Sequence, residues 1–336
     1  MLQFVLGRAG SGKTEYVRRL LADRARAGEG PSMLLVPEQY TFETEKAMLR
    51  LAGPVGGNAI PVYSFTRLAE AVFRREGGAV GRRLTEGGRR ILMARAVEAC
   101  QDRLELYQSA AQSGRINDLM LSAVNEMKLC GISPEQLLDL SRTLENRGLA
   151  QKLRELSLVY GTYEALVGAS YLDSRDDLTR MAQTLETSSF FQGCTVAVDS
   201  FEGFTAQELR VLAQILRRAE RVVVALCTDG LDQTGTGLFA LVDRTRRRLS
   251  ALAGENGVSV EPPVVLTGAP RFREENLKLV ESQLFCAQEI LTSPDQEGVV
   301  VFEARDPYEE AEFAAATIRR LVQEEGFRYR EFSLIC

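Results

Sequence analysis

The sequence predicts an α/β protein built on a parallel sheet, interrupted by a long helical segment. Three observations predict this. The first 65 residues hold three apolar runs, LQFVLG (2–7), SMLLVPE (32–38) and AIPVYS (59–64), each followed by a helical pattern. Buried strands alternating with helices imply a parallel sheet covered on both faces. From about Leu84 strand signals stop and amphipathic helical stretches take over until strand runs resume with CTVAVDSF (194–201) and RVVVALCTD (221–229). An α/β domain made of two separated pieces, with a helical insertion between them, is the simplest architecture.

Element by element, segments 13–27 and 42–52 place apolar residues three and four apart, as in Tyr16, Leu20 and Leu21, the spacing of one helix face. LTEGGRRILMARAVEACQDRL, INDLMLSAVNEMKLC and AQKLRELSLVYGTYEALV carry the same pattern through the insertion, and TAQELRVLAQILRRA joins the two later strands. Residues 230–295 are mixed: an Arg-rich helix around RTRRRL (244–249), a Pro-Pro loop at 262–263 and a helix near 274–290. A further strand, GVVVFEA (298–304), a helix over 308–325 and a last strand, FSLIC (332–336), follow. A chain stopping on that strand leaves a sheet half built, so a longer protein is expected. The expected domains are 1–85 with 190–290, the insertion at 86–189, and the beginning of a second α/β domain at 296–336.

Composition excludes several classes. The chain has 336 residues, 45% of them hydrophobic and 26% charged, with 28 Gly and 10 Pro. That is a globular protein large enough for more than one domain. No run approaches the roughly 18 apolar residues of a membrane span, and the opening MLQFVLG shows no basic n-region or small-residue cleavage site, so export is not expected. The six cysteines, Cys100, Cys130, Cys194, Cys227, Cys286 and Cys336, lie at least 30 residues apart, and there is no His. Zinc motifs and His-dependent triads are therefore excluded, and reduced thiols in the cytoplasm are expected. The net charge is −5, yet residues 1–85 hold 13 Lys and Arg against 8 Asp and Glu. A basic front is compatible with a polyanion partner, although a solvated mixed surface explains it as well.

One motif carries specific chemistry. Gly7-Arg8-Ala9-Gly10-Ser11-Gly12-Lys13-Thr14 satisfies G-x-x-x-x-G-K-[ST] between an apolar strand and a helix. Backbone N–H groups of such a loop curl around phosphate, and the helix N-terminus adds partial positive charge. Lys13 would reach the β and γ phosphates, and the Thr14 hydroxyl would coordinate Mg²⁺. At this composition the chance expectation for the pattern is on the order of 0.003. The expected ligand is ATP with Mg²⁺, on a P-loop NTPase sheet of the RecA-like kind.

A second motif is incomplete. Val196-Ala197-Val198-Asp199 ends an apolar strand in an acid suited to holding Mg²⁺, with a turn or N-cap aspartate as the competing reading. The next residue is Ser200, where a hydrolysing helicase typically carries Glu. Glu202 follows two residues later. A site that binds nucleotide and hydrolyses it poorly is expected.

Together, FVLGRAGSGKT, Val-Pro-Glu-Gln (36–39), Ser-Phe-x-Arg-Leu-Ala (64–69) and Asp-x-Phe-x-x-Phe-Thr (199–205) resemble the superfamily 1 helicases. In detail the whole chain is similar to the B subunits of the AddAB helicase–nucleases. The resemblance implies a subunit whose helicase fold no longer drives translocation, paired with a motor A subunit in double-strand-break repair. It also implies reading of single-stranded DNA for the Chi recombination hotspot. Nuclease carboxylates and an iron–sulfur cluster would belong to a C-terminal region outside this chain.

The resemblance places Gln39, Thr41, Phe65, Arg67, Phe201 and Phe204 along the strand-reading path. Gln and Arg can bond base edges, Thr can reach phosphate and Phe can stack on a base. Core packing is the competing reading for the three phenylalanines. Glu70 stands where relatives are expected to carry an aromatic residue. An active superfamily 1 translocase is the alternative function, and a small-molecule kinase using the same loop a further one.

Overall fold

The computed structural model describes residues 1–78, 81–112, 115–229, 237–284 and 298–335. It separates into two compact units, Met1–Arg271 and Phe272–Cys336.

The first unit opens with β1 (Leu2–Gly7), α1 (Lys13–Ala27), β2 (Ser32–Leu35), α2 (Thr41–Asn58), β3 (Val62–Tyr63) and α3 (Phe65–Glu76). A largely helical stretch follows: β4 (Arg82–Arg83), α4 (Glu86–Cys100), α5 (Gln108–Gln112), α6 (Asn117–Cys130), α7 (Pro134–Thr143), α8 (Arg147–Gly168), β5 (Tyr171–Leu172) and α9 (Asp177–Leu185). The strand pattern then returns as β6 (Thr195–Val198), α10 (Ala206–Arg218), β7 (Arg221–Cys227), α11 (Ala240–Glu255) and β8 (Val264–Val265).

All six main strands run parallel in the order β3-β2-β6-β7-β1-β8. One strand, β7, separates β1 from β6. Alternate residues of each strand face opposite helical layers, as the two-residue period of a strand requires. Leu2, Phe4 and Leu6 of β1 join Val196, Val198, Val222 and Val224 under α3, α9, α10 and α11. Val5, Ala197, Val223 and Ala225 face Val17 and Leu21 of α1 and Met48 of α2. Burial on both faces explains why these strands read as unbroken apolar runs.

The helical stretch has a core of its own, from Leu84 to Val167, that includes Met93, Val124 and Tyr163. Met181, Leu185 and Phe191 instead pack into the sheet's core. The changeover thus falls nearer 172 than the expected 189, because α9 turns its apolar face toward α3 and α10. Two short strands that carry no apolar signal, β4 and β5, pair in parallel across this stretch. β8, beyond the Pro-Pro loop, is likewise silent in the sequence and pairs with β1 through two residues.

In the second unit, α12 (Glu275–Gln283) and α13 (Pro307–Glu324) form where helices were expected, with 285–290 outside the described residues. The strands expected at 298–304 and 332–336 are not seen among the described residues, which exclude Cys336. Val300 and Val301 are 82% and 91% exposed. An extended apolar run becomes a strand only against a partner, and the described part of this unit offers none.

Candidate functional site

Because every main strand is parallel, the loops after β1, β2, β3, β6 and β7 leave the sheet at one edge. Registers of Gly7 with Cys227, Leu35 with Val198 and Leu35 with Tyr63 hold those loops level. Open parallel sheets place ligands at this carboxyl edge.

The loop Gly7, Arg8, Ala9, Gly10, Ser11, Gly12 folds between β1 and α1 with Gly10 at φ 75° and Gly12 at φ 93°. Only glycine adopts such angles without steric cost. A Cβ on Gly7 would lie 2.3 Å from Ser11 Oγ and 2.9 Å from the Leu266 carbonyl oxygen, so the loop packs against its own strand edge. No side chain caps α1 at Gly12. The first-turn N–H groups are therefore left to water or to a ligand. Ser11 Oγ is buried without a hydrogen-bond partner, although it sits inside this turn. Lys13 donates to the Arg8 carbonyl at 2.8 Å, lying back over the loop. Burial pulls its ammonium below the usual lysine range, an effect that Cys227 and Asp199 oppose and Arg271 reinforces. Arg8 lies over the Phe239 ring, 5.3 Å from its centroid. Thr14 is half-buried in the first turn of α1.

Asp199 directly follows β6 at 4% exposure, its N–H donating to Leu35 O at 3.0 Å. Ser200 is the one non-glycine residue with positive φ among the described residues, at 67°. Left-handed backbone costs an ordinary L-residue roughly 1–2 kcal/mol. The strained link sits directly beside the acid.

The residues expected to meet a DNA strand divide into two groups. Gln39 is exposed in the turn after β2, and Arg67 is exposed in the first turn of α3, which follows β3. Arg67 bonds Glu45 at 2.7 Å, so its charge is partly engaged. Thr41 and Phe65 do not face outward. The Thr41 hydroxyl is buried and donates to Glu38 O at 2.9 Å, which closes the turn opening α2. Phe65 is 6% exposed and stands edge-on to Phe201 at 5.6 Å and Phe204 at 6.4 Å. Packing therefore accounts for Phe65, because Ser64 caps α3 and directs the next side chain inward. Phe201 and Phe204, 5.1 Å apart, are half-buried, each keeping part of its ring at the surface. Glu70 is exposed on α3. The structure also exposes Tyr40 and Phe42, at 47% and 67%, on either side of Thr41. Their alternation with Gln39 and Thr41 carries no sequence signal that separates surface from core.

No group of three or more Asp, Glu, Cys or His able to hold a metal occurs among the described residues. Nor is any helix there long and apolar enough to cross a membrane.

The sheet and its edge define the class first: an α/β protein with a mostly parallel six-stranded sheet of RecA-like kind. A family model described as ADDB, N-terminal, matches residues 4–281, and the chain belongs to that family. Among curated proteins it is similar to the B subunit of the ATP-dependent helicase/deoxyribonuclease of Thermoanaerobacter sp. (strain X514), 34% identical over 98% of this chain and 29% of the relative. The protein of the same name from Desulforudis audaxviator is 36% identical over 99% of the chain and 30% of its own length. That of Acetivibrio thermocellus is 31% identical over the same shares. The chain thus spans about three tenths of the length of these relatives.

Proposed function

We propose that this chain is the nucleotide-binding, strand-reading front of the B subunit of a heterodimeric DNA helicase–nuclease acting in double-strand-break repair. The observation that carries it is the shared sheet edge. An uncapped helix N-terminus with three loop glycines stands level with Asp199, Gln39 and Arg67. The names of the relatives support the DNA-repair assignment.

The buried, unpartnered Ser11 Oγ and the tight turn at Gly7, where a Cβ would clash with Ser11, suit a phosphate-holding loop. Gly7, Arg8, Ala9, Gly10, Ser11, Gly12 and Lys13 would hold ATP, and Thr14 and Asp199 would hold its Mg²⁺. A bound triphosphate supplies the negative charge that draws Lys13 off the Arg8 carbonyl.

Hydrolysis is expected to be weak. Ser200 has no carboxylate to position water, and its left-handed backbone would strain a glutamate placed there. The strand read would be single-stranded DNA carrying Chi, met by Gln39, Arg67, Phe201 and Phe204. The A subunit as motor, the nuclease and its iron–sulfur cluster, and a cytoplasmic location complete the reading.

Calorimetry with ATP and Mg²⁺ tests it. Lys13→Ala should abolish binding, since the loop loses the lysine that would reach the β and γ phosphates, and unchanged affinity removes the nucleotide assignment. A turnover of several ATP per second in the presence of single-stranded DNA would favour an active translocase instead.

A further inference from the structure

α11 presents two faces. Val242, Leu249 and Ala253 are buried against the sheet, while Arg244, Arg247 and Arg248 stand exposed on the outer side. Exposed arginines in this unit commonly meet carboxylates, as Arg19 does Glu15, Arg26 does Asp23 and Arg67 does Glu45. Arg244, Arg247 and Arg248 meet none among the described residues, in a chain with 46 acidic residues. Their charge is available.

They also border a groove. Arg244 and Arg248 line a cavity of about 280 Å³ with Phe204, Leu209 and Leu241. Leu209 and Arg248 line a second cavity, about 390 Å³, between α10 and α11, where Arg210 joins them. One carboxylate opens on each, Glu202 on the first and Glu255 on the second, so the arginines outnumber the acids. Thr245 Oγ1 donates to the Glu202 carbonyl at 2.8 Å and ties α11 to the loop that follows Asp199. The groove therefore begins at Phe204, the half-buried aromatic at the end of the proposed strand-reading path.

We propose that the α10–α11 groove is a second DNA-contact site, in which Arg244 and Arg248 bind successive phosphates of the single strand as it leaves Phe204. Residues four apart on a helix stand about 6 Å apart on one face, close to the separation of neighbouring phosphates on an extended strand. Guanidinium groups bind phosphate bidentately, and the apolar lining, buried Leu209 and exposed Leu241, accepts sugar and base edges without demanding a sequence. The inference rests on the strand-reading role proposed above and extends that path along α11.

The test measures binding of labelled dT and dA oligonucleotides to the purified protein across a salt series, comparing the parent with Arg244→Ala/Arg248→Ala, Arg244→Lys/Arg248→Lys and Arg67→Ala. Both arginines are exposed and unpartnered, so thermal melting should confirm an intact fold. The double Ala variant should bind about tenfold more weakly near 0.1 M salt, equally for both sequences. The salt slope should flatten by about 1.4, the value for two lost phosphate contacts on a single strand. The double Lys variant should keep the parent slope. Unchanged affinity and slope in the double Ala variant, with Arg67→Ala weakened, overturn the groove and leave the strand-reading role standing. Weakening confined to one sequence overturns it as well, since a base contact would be responsible. Parent protein that binds no oligonucleotide overturns both. Normal DNA binding by the double Ala variant with loss of the partner subunit assigns the groove to protein contact instead.

Discussion

Thr228 Oγ1 donates to Asp243 Oδ1 at 3.2 Å, and both residues are fully buried, joining the end of β7 to the first turn of α11. Thr228 also donates its N–H to Gly7 O at 3.2 Å, where the glycine-rich loop begins. Arg246 lies 3.6 Å from the same carboxylate, whose Oδ2 has no hydrogen-bond partner among the described residues. A short chain of polar contacts thus runs from the loop to the arginine-bearing helix.

Removing the hydroxyl leaves a buried carboxylate oxygen without its donor, a penalty of about 1–3 kcal/mol. Thr228→Val should therefore lower unfolding free energy by about 2 kcal/mol in chemical denaturation. Asp243→Leu should cost less in the Thr228→Val background than alone, because the two groups share one interaction. Additive losses would show that the pair is not coupled.

Two loop glycines should fail for different reasons. Gly7→Ala must displace the Leu266 carbonyl, 2.9 Å from the new Cβ, and so loosens β8 from β1. Gly12→Ala meets no atom within 4 Å and suffers only from φ +93°, a cost of about 1–2 kcal/mol. Hydrogen exchange at Leu266, whose N–H bonds Leu6 O, should accelerate in the first variant and stay unchanged in the second.

Ser200→Gly should stabilise the protein. Relief of left-handed strain contributes roughly 1–2 kcal/mol, and the extra freedom of an unfolded glycine takes back about 0.5–1. A net gain of about 0.5–1 kcal/mol by denaturation is expected. Ser200→Ala keeps the strain and should show no gain.

Glu155 anchors the turn before α5. Burial alone would raise its carboxyl, but N–H groups of Leu106, Glu105 and Tyr107 and the Gln151 amide outweigh it and hold the group below the usual carboxylate range. A depressed folded value contributes stability above the unfolded value, and that stability is lost as pH falls through the folded one. Glu155→Gln should cost about 2 kcal/mol at neutral pH. The gap to the parent should narrow as the pH is lowered through and below the ordinary carboxylate range. A gap that does not change with pH would mean that the charge is irrelevant there.

The sequence by itself determined β1, β2, β3, β6 and β7 and the bend after β1. β1 and α1 lie where the apolar run and the helical spacing put them, because doubly covered strands and one-faced helices write their burial into residue type. The bend after β1 was equally legible, since Gly10 and Gly12 take positive φ within a short contiguous motif. Tertiary structure alone decided the rest. β8 and the β4–β5 pair are too short to carry a pattern and exist only because a neighbour supplies hydrogen bonds. Met181 and Leu185 joined the sheet's core rather than the helical one because α9 packs against α3 and α10, a choice between partners that an amphipathic helix does not announce. Side-chain direction at the sheet edge was also undecided: Thr41 and Phe65 turned inward while Tyr40 and Phe42 turned outward, since a cap or turn rotates a side chain without changing its place in the chain. The groove along α11 joins residues 202–210 to 241–255, and only packing brings those segments together.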